Sequence, residues 1–93
     1  MMTIQDVIHA PLEDTVQFVR EHTHHHVYLT KEQLWLMALQ ILDGEGLLDP
    51  QDSQILNTPL FGEAFVAEGG DAEKAMLRLG FDMLPGASLL RLI

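Results

Sequence analysis

Residues 34–42 read Leu34, Trp35, Leu36, Met37, Ala38, Leu39, Gln40, Ile41 and Leu42, so every position but Gln40 is apolar. A helix of this kind has no face for water and must lie at the centre of a bundle or against another subunit. Its start is set by three features. Thr30 is an N-cap residue, Gln33 completes the capping-box pattern, and Leu29 and Leu34 occupy the two staple positions. Its end is set by Asp43, Gly44, Glu45 and Gly46, which tolerate the left-handed conformations that close a helix.

The remaining segments are arranged around that helix. The chain has 93 residues, enough for a single domain spanning 1–93. Residues 11–22 predict a surface helix, with Pro11 in its first turn, Glu13 and Asp14 at the positive end of the dipole, and Leu12, Val16, Phe18 and Val19 facing inward. Asp49 followed by Pro50 opens a short helix that ends near Leu56, before Asn57, Thr58 and Pro59. Residues 59–68 read either as a fourth short helix capped by Thr58, with Leu60, Phe61, Ala64 and Phe65 inward, or as an irregular segment. Asp71 caps a last helix predicted over 72–83, with Ala75, Met76, Leu79 and Met83 on one face. Val27, Tyr28 and Leu29 form the only β-favouring triplet, too short for a sheet without a partner. The fold class that follows is all-α: a small single-domain helical bundle of four to five helices around a central apolar helix.

Charge narrows the function. Five Lys and Arg stand against fourteen Asp and Glu, a formal charge of −9. Direct binding to nucleic acid or to an anionic membrane needs the opposite surplus. There is no Cys, hence no disulfide and no thiolate nucleophile or metal ligand. No stretch approaches the roughly 20 apolar residues of a membrane span, and the segment from Met1 to Asp6 has no basic run followed by an apolar one. A cytoplasmic protein is the expectation.

Four features could carry function. Clustered imidazoles are good ligands for zinc, nickel or copper, and His22, His24 and His26 are the candidate metal ligands, with His25 and His9 nearby. The spacing matches no established ligand pattern, and a solvated helix end explains the cluster equally. The same imidazoles would gain charge together on mild acidification. The second feature is the loop carrying Asp43, Glu45, Asp49 and Asp52. As a calcium loop starting at Asp43 it fails, because Leu47, Leu48 and Gln54 fall where oxygen ligands and the glycine are required.

The third feature is the acidity itself, which steers a basic partner toward the chain. One specific form is an inhibitor that fills the DNA- or RNA-binding groove of another protein with carboxylates spaced like phosphates. The fourth is an apolar surplus in Trp35, Met37, Phe61, Phe65, Met76 and Met83 and in the tail, where Leu89, Leu90 and Leu92 are candidate contact residues and the end is expected to be docked. A symmetric homodimer is one source of the burial these residues need. Ser53 and Ser88 lie in no nucleophile context, and no glycine-rich phosphate loop follows a strand. The sequence therefore points to a non-enzymatic, cofactor-free interaction protein, a regulator or inhibitor of a partner protein with a basic surface. A metal-binding or metal-responsive protein and a structural or assembly subunit are the alternatives.

Overall fold

The computed structural model describes residues 1–23, 29–82 and 91–92, the last two and Asp82 in their backbone only. Its axis is the helix that the apolar run demands, α3, Lys31–Gly44 in chain order. Thr30 Oγ1 accepts from the Gln33 amide at 3.2 Å while Gln33 Oε1 accepts from the Thr30 amide at 3.0 Å, so both halves of the capping box form. Trp35, Ala38, Leu39 and Leu42 are buried, the i, i+3, i+4, i+7 stripe of a helix lying on a core. Leu34, Leu36, Met37 and Ile41 are half-buried and pack against the same core. The helix is central without being sealed on every side.

Among the described residues there are six helices, one more than the largest number expected. The addition is α1, Ile4–His9, which begins at a Thr3 capping box with Asp6 and buries Ile4 and Val7. It is followed by α2, Leu12–Thr23; α4, Pro50–Leu56; α5, Phe61–Ala67; and α6, Ala72–Arg78. In α2 the inward stripe is rotated from the one predicted. Val19 and Thr15 are buried, Val16 and Phe18 half-buried, and Leu12 is 44% exposed. A threonine can take the inward position because its methyl group packs as a small apolar side chain, and the leucine at the first turn overhangs the edge of the core.

Two helix ends also differ from expectation. α5 starts at Phe61 and has no side-chain cap, because Leu60 adopts φ +68° and turns outward, 66% exposed. Thr58 instead donates its hydroxyl to the Gln54 carbonyl and closes α4. α6 stops at Arg78, well before Met83, where Gly80 takes φ +93° and leaves the helix. Beyond it Phe81–Asp82 pairs antiparallel with Arg91–Leu92, so the tail is docked through its backbone at those two residues. Met83 and the Val27 and Tyr28 part of the β-favouring triplet lie outside the described residues.

Phe61, Phe65, Leu39 and Met76 are fully enclosed at the junction of α3, α5 and α6. The two phenylalanine rings lie 5.5 Å apart at 36°, a tilted pairing that adds about 0.5–1.5 kcal/mol to what their burial provides. No helix among the described residues is long and apolar enough to cross a membrane.

Candidate functional site

A concavity is built around Trp35. This residue sits in the second turn of α3, 9% exposed, with Lys31 Nζ 5.5 Å from its ring centroid. The connection from α5 to α6 crosses directly over the indole at Gly70. A Cβ there would stand 2.4 Å from Trp35 Cζ3, and the residue has φ +87°. Only glycine meets both conditions. The crossing sets Asp71 at the N-cap of α6, where its carboxylate accepts from the Lys74 amide at 3.1 Å, and places Glu73 in the first turn.

Facing this edge are Ile4, Gln5 and Ile8 of α1, with Asp52 and Ile55 of α4. Together they line an open groove of about 550 Å³. Isoleucine side chains and the indole form its floor, and its ionisable lining is Asp52, Asp71 and Glu73, three carboxylates with no cation. Lys31, over the indole, is not part of that lining, and Arg78 is paired with Glu68 at 2.9 Å. Trp35 also carries a buried indole N–H with no acceptor among the described residues. Buried donors are nearly always paired, so this one is unusual. A second cleft, about 200 Å³, lies between α1, α2 and α3 over Val7, Thr15, Phe18 and Ala38, with Asp14 and Thr15 its polar residues.

Each carboxylate singled out from the sequence has work inside the chain. Asp43 accepts from the Ser53 hydroxyl and from Asn57 Nδ2 at 3.0 Å, and these two hydrogen bonds, Ser53 first, hold its carboxyl below the ordinary value. Asp49 caps α4 by accepting from the Gln51 and Asp52 amides. Asp52 accepts from the Ile4 amide at 2.8 Å and so tethers α1 to α4. Alongside it, Met2 pairs with Leu48 in a parallel bridge, the Met2 amide donating to Leu47 and the Asp49 amide to Met2. The acidic loop is thus the knot that joins the N-terminal segment to α3 and α4, and Asp52 alone of the four also lines the groove.

Glu45 Oε1 lies 3.3 Å from His22 Nε2, and His22 Nδ1 lies 2.8 Å from the Phe18 carbonyl. Both ring nitrogens are occupied, and the contact with Glu45 becomes an ion pair when the imidazole is protonated. His24 and His26 lie outside the described residues, as do Leu89 and Leu90. Leu92 is placed only by its backbone pairing with Phe81. Among the described residues no three His, Cys, Asp or Glu form a group that could hold a metal ion.

The groove draws on residues whose sequence signal was a different one. Asp71 reads as a helix cap, and it is one; its second role, and the place of Glu73 beside it, arise because Gly69 and Gly70 fold the loop back onto Trp35. The available signal was the pair of adjacent glycines ahead of a cap, which marks a close backbone approach without naming what is approached. Compared with models of protein families, with curated proteins and with solved structures, the chain matches none.

Proposed function

We propose that this chain is a non-enzymatic interaction module, a small acidic helical domain that binds a basic surface of a partner protein and thereby regulates or inhibits that partner. One observation carries the reading: the groove beside Trp35 combines an apolar floor with a rim of Asp52, Asp71 and Glu73 and has no cation in its lining. Apolar contact supplies affinity in such a site while the rim selects for positive charge and speeds encounter. The overall charge of −9 acts in the same direction at long range.

The test is capture of the partner from the native host, followed by titration of the purified pair over a range of salt. The reading requires a partner surface rich in Lys and Arg and an affinity that weakens by about ten-fold or more between roughly 50 and 300 mM salt, where the screening length contracts. An affinity indifferent to salt would contradict it.

A further inference from the structure

We infer that the groove beside Trp35 is an arginine-binding site: it receives an arginine side chain of the partner, with its methylene stem on Ile8 and Ile55 and its guanidinium facing Asp52, Asp71 and Glu73. This deepens the proposed function and rests on it. Three observations select the occupant. The three ionisable residues of the lining are all carboxylates and most of the others are apolar, so the ligand that fits carries an apolar stem and a cationic head. The carboxylates belong to two separate helices and, among the described residues, do not gather into a metal-holding group. A compact ion therefore does not fit, whereas a planar fork with five N–H donors can serve acceptors spread along an edge. Guanidinium is also more weakly hydrated than ammonium, which favours arginine over lysine against a lining that includes three isoleucines and the largely buried indole.

The volume of about 550 Å³ falls within the range of sites that enclose ligands larger than one side chain, so neighbouring peptide backbone enters with the arginine.

Trp35 is the only tryptophan, so its fluorescence reports on this groove directly. The full chain is titrated at low salt with hexa-arginine, hexa-lysine and free arginine amide, as wild type, as Asp71→Asn with Glu73→Gln, and as a control pair, Glu13→Gln with Glu63→Gln. Neither control residue lines the groove, yet the net charge changes equally. Asn is as good an N-cap as Asp, so α6 is retained, and unchanged thermal unfolding verifies it. The inference requires hexa-arginine to bind several-fold more tightly than hexa-lysine and far more tightly than arginine amide. It also requires a loss of about ten-fold in the groove variant against less than about two-fold in the control. Equal losses in both variants, or equal binding of the arginine and lysine peptides, would overturn it by reducing the effect to net charge. Arginine amide binding as well as the peptide would overturn it in favour of a small-molecule site. If the captured basic partner binds the groove variant as well as wild type, this inference fails while the proposed function stands; if neither the partner nor any cationic peptide binds, both fail.

Discussion

At Gly70 a single absent side chain decides whether the groove exists. A Cβ at this position would meet the Trp35 ring at 2.4 Å, and the backbone has φ +87°. Gly70→Ala therefore incurs both left-handed strain and a clash with a buried ring, and is expected to lower unfolding free energy by about 2–3 kcal/mol. Gly44, in the last turn of α3 with open space where its Cβ would stand, is the contrast: Gly44→Ala is expected to be neutral or stabilising by up to about 1 kcal/mol. Urea unfolding of the two variants checks the pair, and equal effects would show that the loop does not rest on the indole. Neither consequence can be read from the two glycines in the sequence, because both look like ordinary helix stops. Leu60 shows the same limit in reverse. Its apolar character places it inward by pattern, yet the turn after Pro59 gives it φ +68° and sends it to the surface.

The elements that were legible are those with local signals at both ends. α3 is announced by a capping box, a staple and an apolar run, and α4 by an Asp-Pro start, and both occur within a residue or two of where those signals lie. α1 carries a capping box of its own in Thr3 and Asp6, but six residues provide too short a stretch for a periodic stripe to stand out. Its place depends on tertiary bonds, the Asp52 carboxylate at the Ile4 amide and the Met2 bridge to Leu48, which no local pattern reveals. The junction of α3 with α4 leads to a pH prediction. Asp43 is held below its ordinary value of 3.8 by the Ser53 hydroxyl first and Asn57 second. Its carboxyl releases its proton more readily in the folded state, so the stabilisation it provides is complete above the ordinary value and is lost as pH falls through the lower folded value. Ser53→Ala should then cost about 1 kcal/mol near neutral pH and progressively less as the solution is acidified below about pH 4. Urea unfolding of wild type and variant at several pH values measures this, and a cost independent of pH would contradict the assignment.

On the scale of the whole molecule, the acidity that looked like a diffuse property of the surface is divided between two tasks. Asp6, Asp43, Asp49 and Asp52 receive hydrogen bonds that close helix ends or join elements, with Asp6 held below its ordinary value chiefly by the Thr3 amide. Asp71 and Glu73 stand with Asp52 on the rim of a groove whose isoleucines and indole come from α1, α3 and α4. Composition made the charge plain, and apolar periodicity with capping signals made the helical class plain. Which carboxylates serve architecture alone and which, like Asp52 and Asp71, also face a concavity depends on packing between segments distant in the chain, so it emerges only in three dimensions. The central claim, that this groove is where a basic partner is met, is tested most directly by titrating the ¹⁵N-labelled chain with hexa-arginine and following every amide and the single indole resonance. The account predicts that the largest shifts fall on Gln5, Ile8, Gly69, Gly70, Asp71, Glu73 and the Trp35 indole. Largest shifts at Asp43 and Glu45, or along the outer face of α2, with the indole unmoved, would contradict it.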